Sequence, residues 1–224
     1  MAKLNTNSNA YIILYSTILV VVVAFLLAFV SSSLKERQEA NVALDLEKQV
    51  LNSLNLRDKD VAEAHALYQT IVKYDEAQNI YVCTLENGEV KYVIPLKGMG
   101  LWGGISGYIS LNDDNNTVYG AYFNHESETA GLGAEIKDDR SWQEKFKDLK
   151  VFDADGNVAI AVVKKVENPE HQVDCVTGAT LTSNGVSDML QKAFADYAKT
   201  LKDEQWNRIK EDRSKPNADG EYNE

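Results

Sequence analysis

Hydrophobic residues run without interruption near the N-terminus and afterwards fall into two distinct periods. Residues 11–30 carry no charge and are dominated by Val, Leu, Ile, Phe and Ala. As a helix this stretch is about 30 Å long, the thickness of a bilayer's hydrocarbon core. A signal peptide has a shorter apolar run and small residues at its cleavage site, whereas Phe29-Val30-Ser31-Ser32 follows here. A helix inside a soluble core is seldom apolar on every face. The stretch therefore predicts a retained transmembrane helix over 11–30, behind a short N-terminus over 1–10.

Beyond it the pattern becomes amphipathic. Leu34, Val42, Leu46, Val50, Leu51 and Leu54 recur at helical spacing among charges, with Ser33 as a capping candidate, and predict a juxtamembrane helix within 31–58. A second helical run over 60–74 carries Val61, Ala64, Leu67, Tyr68 and Ile71 on one side. The period then changes to two. Residues 80–85, a turn at Asn87-Gly88 and residues 90–94 form a hairpin signal. A glycine-rich run with a tryptophan follows, Gly98-Met99-Gly100-Leu101-Trp102-Gly103-Gly104. Such a run suits either a backbone that something flat approaches or a loop leading into an edge strand. Strands are expected over 105–111 and 118–124, a short helix over 138–147 with Trp142 and Phe146 inward, and a hairpin of 151–152 with 158–166. The last helix runs to about Leu201, with Val186, Leu190, Phe194 and Tyr197 on its buried face. The region after it, 206–224, reads as a flexible tail.

Charge narrows the partners. The net charge of −11 makes nucleic acid a poor one, because phosphate backbones want a basic face. Lys3 precedes the apolar stretch and Lys35 and Arg37 follow it, so positive-inside counting leans weakly towards a cytoplasmic C-terminal domain. Cys83 and Cys175 are far apart in no metal or redox spacing, and they leave one possible disulfide open. His65, His125 and His171 are scattered, so no metal site is expected.

Two segments carry candidate chemistry. Asp174-Cys175-Val176-Thr177-Gly178-Ala179-Thr180-Leu181-Thr182-Ser183 joins a strand-like run to a helix-like run. Gly178 permits conformations that other residues avoid, and Ala179 leaves room for a bulky group. Thr182, Ser183 and Asn184 are N-cap types, which points the hydroxyls at a helix N-terminus, where free N–H groups and the helix dipole favour phosphate. The loop His125-Glu126-Ser127-Glu128-Thr129-Ala130-Gly131-Leu132-Gly133 combines carboxylate, hydroxyl and glycine and suits a ligand rim. It lacks the lysine of a P-loop. No Ser-His-acid set is suggested, because no His lies near a candidate nucleophile in sequence, and no nucleophile elbow occurs. A hydroxyl turn with two glycine-rich loops fits a flat, phosphorylated cofactor; an ordinary turn in a cofactor-free binding or assembly protein remains the competing class.

Asp174-Cys175-Val176-Thr177-Gly178-Ala179-Thr180 resembles the D-x-x-[S/T]-G-A-[T/S] acceptor motif for covalent FMN. The wider chain is similar to the family of C subunits (NqrC) of the Na⁺-translocating NADH:quinone reductase. The likeness lies in the anchor, the amphipathic segment, Gly-Met-Gly-Leu-Trp at 98–102, Glu-Thr-Ala-Gly-Leu-Gly at 128–133, the Trp142 segment and Thr-Gly-Ala-Thr-Leu-Thr-Ser at 177–183. Ala130 stands where the family usually has proline, and Cys175 is not the commonest residue at its place. The G subunit of the related RNF complex shares the acceptor motif, and Gly100-Leu101-Trp102 favours the quinone-reductase family over it. A flavin-carrying terminal reductase is a third possibility.

The resemblance implies an α+β fold, with an N-terminal transmembrane helix and a soluble FMN-binding domain of antiparallel strands and packed helices over 59–205. It implies an extracytoplasmic domain on the cell inner membrane, other subunits of a redox complex and a flavin transferase as partners, and FMN as cofactor. The FMN phosphate would be esterified to Thr180. Gly178 and Ala179 would let the phosphate approach, Thr177 and Thr182 would donate hydrogen bonds to it, and Asp174 would help present the acceptor. Leu181, Leu101, Trp102, Glu128, Thr129, Gly131, Leu132 and Gly133 complete the expected site, with contacts to the isoalloxazine or ribityl chain. No residue is expected to act as a catalytic acid or base. Without a dinucleotide fingerprint the protein is not expected to oxidise NADH alone.

Overall fold

The computed structural model describes residues 8–214, and side chains through residue 200. Helix α1 spans Asn9–Ser53 as one element. The amphipathic stretch after residue 31 continues the apolar helix, because no Gly or Pro occurs between residues 9 and 53 to stop it. Its apolar part is long and hydrophobic enough to cross a membrane, and none of that window is buried. The helix ends at Ser53, and Asn55 beyond it is left-handed, with a φ of 61°. The N–H of Leu56 bonds to Leu51 O and that of Asn55 to Asn52 O, the pairing of a Schellman stop.

The chain divides into two compact units, residues 1–46 and 47–224. The second begins inside α1, since Val50, Leu51 and Leu54 are fully buried and Ser53 O accepts from Ser110 Oγ at 2.6 Å. Helix α2, Val61–Ile71, is capped by Asp60, whose side chain accepts from Glu63 N–H. The helix expected over 60–74 stops early: Val72–Asp75 forms strand β1 and pairs antiparallel with β2, Ile80–Thr84. The β-branched and aromatic residues Val72 and Tyr74 suit that edge.

Strands β3 (Val90–Met99), β4 (Gly104–Leu111) and β5 (Val118–His125) complete a five-stranded antiparallel meander in chain order. β3 extends past the expected 90–94, and Gly98 and Met99 pair with Ile105 and Gly104. Short helices α3 (Glu135–Asp138) and α4 (Arg140–Glu144) follow, with Trp142 and Phe146 buried against Phe123.

The hairpin expected from 151–152 and 158–166 shrinks to a single bridge, Phe152 with Val158. Asn116 occupies that edge, its backbone carbonyl accepting Val151 N–H and its side-chain oxygen accepting Phe152 N–H. Released from the hairpin, β6 (Ala161–Val163) pairs parallel with β7 (Gln172–Asp174).

Helix α5, Thr180–Ser214, packs on β3 and β6 and buries Val186, Leu190, Phe194 and Tyr197 as expected. It runs beyond Leu201 into the first part of the expected tail, and residues 215–224 lie outside the described residues, as do 1–7 of the expected N-terminal segment. The antiparallel sheet with packed helices behind an apolar helix is the α+β architecture expected.

Candidate functional site

Thr180 is the first residue of α5. The N–H of Ser183 bonds to Ala179 O at 2.9 Å, so Ala179 occupies the N-cap position. Alanine has no side-chain oxygen to offer the open N–H groups of the first turn, which makes it a poor cap. The cap types Thr182 and Ser183 lie inside the helix and are buried instead. Ser183 Oγ accepts the N–H of Val176 at 3.1 Å and folds the loop before α5 back onto the helix. Gly178 sits at φ +77° between them, where a side chain would be strained.

The loops 100–103 and 126–133 close on this helix start around one carboxylate. Glu128 is only 7% exposed. Its Oε1 accepts the N–H of Trp102 at 2.8 Å and its Oε2 accepts the Thr182 hydroxyl at 2.6 Å. Burial pushes this carboxyl up, but the Thr182 hydroxyl and the backbone N–H groups of Trp102, Gly103 and Leu101 outweigh it and hold the group below the ordinary glutamate range. A Cβ at Gly100 would come within 3.0 Å of Glu128 Cδ, and one at Gly133 within 2.7 Å of Thr182 Oγ1. The glycines of 98–104 thus let protein approach protein: their nearest neighbours are Met189, Glu128, Ser127 and Glu126. Ser127 Oγ donates to Trp102 O at 3.0 Å, and Glu126 Oε2 accepts Gly104 N–H at 3.2 Å, so three consecutive side chains fasten one loop to the other.

A cleft of about 240 Å³ opens at this junction, lined by Leu101, Trp102, Glu128, Thr129, Leu132, Gly133 and the stretch 178–182. Four of its walls are apolar and solvent-exposed: Leu101, Trp102, Leu132 and Leu181. Apolar surface gathered at the mouth of a cleft suits a flat aromatic ligand. Polar groups lie deeper, where Thr180 and the first turn of α5 face the same space. The residues therefore fit a ligand with an apolar plate and a phosphate end.

Of the expected site residues, eleven line this cleft. Gly131, Thr177 and Asp174 do not. Gly131 lies at the exposed loop tip with φ +73°, and Thr177 is exposed on the turn before Gly178. Asp174 is ion-paired with Lys145 at 2.8 Å, while its backbone carbonyl accepts Trp142 Nε1–H at 2.8 Å. The Thr182 hydroxyl is engaged by Glu128, so phosphate would meet backbone N–H groups rather than this side chain. Sequence reasoning missed Gly100, Ser183 and Lys145. Gly100 carried a signal in the glycine run, whereas the other two make contacts that no local pattern announces.

Comparison with known proteins converges on the same region. The family described as FMN-binding domain matches residues 100–195. The chain is 38% identical over 130 residues to the C subunit of the Na⁺-translocating NADH-quinone reductase of Pasteurella multocida, covering 55% of this chain and 50% of that one. It is 39% identical over 126 residues to the corresponding protein of Neisseria meningitidis, covering 55% and 47%. The chain thus spans about half the length of the curated relatives it matches. Among solved structures, the C subunit of the reductase of Parabacteroides distasonis is 34% identical with a TM-score of 0.67, over 75% of this chain and 96% of that one. NqrC of Shewanella oneidensis, 22% identical with a TM-score of 0.60 over 70% and 96%, shares the fold.

Proposed function

The chain belongs to the family of C subunits of Na⁺-translocating NADH-quinone reductases, and from that membership we propose that it is the flavin-carrying, membrane-anchored member of such a redox complex. FMN bound here supplies one-electron redox chemistry, passing electrons between centres of neighbouring subunits during NADH-to-quinone transfer coupled to Na⁺ export. Everything else the chain does is holding and placing.

The observation that carries this reading is Thr180 at the first position of α5, with alanine at the cap and an apolar-rimmed cleft in front. Thr180 Oγ would form the phosphoester by attacking the phosphorus of an activated, anhydride-linked FMN donor held by a maturation transferase. The P–O anhydride bond breaks, the donor's other phosphate leaves, and the hydroxyl proton goes with it or to solvent, so that the adduct weighs one FMN less one water. The open N–H groups of the first turn of α5, where a capping side chain is missing, would donate to the phosphate. Leu101, Trp102, Leu132 and Leu181 would hold the isoalloxazine. Asp174 presents the acceptor to the transferase, which requires parting only an exposed ion pair with Lys145; such pairs contribute about 0–1 kcal/mol.

The apolar part of α1 anchors the domain, which we place on the extracytoplasmic side in agreement with the family rather than with the weak charge bias. Covalency then has a purpose. A micromolar noncovalent site corresponds to about 8 kcal/mol and would stand nearly empty at nanomolar free flavin. The test is the mass of the tryptic peptide 166–192 after co-expression with a flavin transferase. It should exceed the sequence mass by one FMN less one water, and Thr180→Val should abolish both the increment and the in-gel fluorescence that survives SDS. An unmodified wild-type peptide under those conditions would sink the proposal.

A further inference from the structure

Away from the cleft, the connector between α1 and α2 borders a second cavity of about 220 Å³, lined on its charged side by Lys48, Arg57, Asp58, Lys59 and Arg140. Four cations face one carboxylate in a chain whose net charge is −11. Two of the cations have acidic partners. Arg140 meets Asp58 at 3.3 Å and Glu144 at 2.9 Å, and Lys59 meets Glu63 at 3.5 Å. Lys48 and Arg57 make no ion pair among the described residues.

Arg57 is held by neutral acceptors. Its Nη2 donates to Ala121 O at 2.9 Å and to Gln143 Oε1 at 2.8 Å, while its Nε is a buried N–H with no acceptor. Buried donors without acceptors are rare and mark places where a water or an ion completes the set. Burial first, then the neighbouring Arg140 charge, lower the Arg57 pKa, against the Glu144 and Asp58 charges, which raise it.

We infer that this cavity binds a phosphate-class oxyanion between Lys48 of α1, the Arg57–Lys59 connector and Arg140 of α4. Guanidinium groups offer the paired N–H geometry that phosphate oxygens accept, and the cavity is large enough for one phosphate group with part of its ester. Binding would tie the last turns of α1 to α4, which the connector already reaches through Arg57 with Gln143 and Asp58 with Arg140. Free phosphate and a phospholipid headgroup share this chemistry.

Thermal unfolding of the full chain in neutral detergent distinguishes them. One arm adds inorganic phosphate against sodium chloride of equal ionic strength; the other adds phosphatidylglycerol against phosphatidylcholine in the micelles. At least one probe should raise Tm by several degrees at saturation. Lys48→Gln with Arg140→Gln should abolish the rise, with the double variant's Tm in chloride as its folding control. Lys48→Gln alone breaks no ion pair and should weaken the apparent affinity about tenfold for the loss of one charge contact, so the test stands if the double variant is unfolded. A response to phosphate identifies a soluble anion, and a response to phosphatidylglycerol alone identifies a headgroup. No rise with either probe overturns the inference. So does a rise that survives the substitutions, which would put the anion elsewhere, including the start of α5.

Discussion

The Thr182 hydroxyl donates to Glu128 Oε2 across 2.6 Å, joining residues 54 positions apart, and both are buried. The same carboxylate holds the N–H of Trp102 at 2.8 Å. One side chain therefore fixes the distance between the β3–β4 loop, the β5–α3 loop and the first turn of α5. Glu128 supports the cleft from beneath, and the width of the cleft depends on it.

Glu128→Ala leaves the buried Thr182 hydroxyl without an acceptor and hands the part-buried Trp102 N–H to water. We expect a loss of about 1–3 kcal/mol in urea unfolding, the cost of one orphaned buried group. Glu128→Gln keeps the shape and removes the charge. The folded carboxyl has a lowered pKa, so its contribution is present above the ordinary glutamate value of about 4.3 and is lost as pH falls through the lower folded value. The stability difference between wild type and Glu128→Gln should therefore be flat above about pH 5.5 and shrink below about pH 4.3. A difference that grows on acidification would contradict the arrangement.

Gly178 tests the acceptor turn. Its φ is +77°, and an added Cβ would stand 2.9 Å from Leu132 Cδ2. Leu132 is at an exposed loop tip and can yield, but the backbone cannot. Gly178→Ala should cost about 1–2 kcal/mol and slow flavin loading, read as fluorescence per protein after timed exposure to the transferase. Unchanged stability would mean that the turn takes another conformation.

The two cysteines should differ in reactivity. Both are free thiols, so the disulfide left open by the sequence is not formed; Cys83 is fully buried and Cys175 partly so. Burial pushes the Cys83 thiol up to about 12. A thiol reagent at neutral pH should label Cys175 alone in the native chain and both after unfolding in guanidinium. Rapid native labelling of Cys83 would show that β2 opens.

Truncation locates the true edge of the soluble unit. A fragment starting at residue 47 retains Val50, Leu51 and Leu54 and should unfold cooperatively. One starting at residue 57 loses these buried side chains, each costing about 2–5 kcal/mol, and should lack a near-UV circular dichroism signal. Equal stability of the two fragments would contradict the packing of the end of α1.

Much of this protein is written in short windows. The apolar run of 11–30, the Asn87-Gly88 hairpin and the buried stripe of α5 are local patterns, because period and turn chemistry act over a few residues. The motif 174–180 likewise points to the family from seven consecutive residues.

Only the tertiary structure decided which groups meet. It moved Thr182 from an expected phosphate donor to a partner of Glu128, set the glycines of 98–104 against protein side chains, and gave Asp174 to Lys145. It turned 161–163 from a hairpin arm into a parallel partner of β7, because Asn116 had already taken the edge of 151–152. The physical reason is common to all of them. Hydrogen-bond donors and acceptors are satisfied by whichever partner packing brings within about 3 Å. For Glu128 that partner is 54 residues away, beyond the reach of any local pattern.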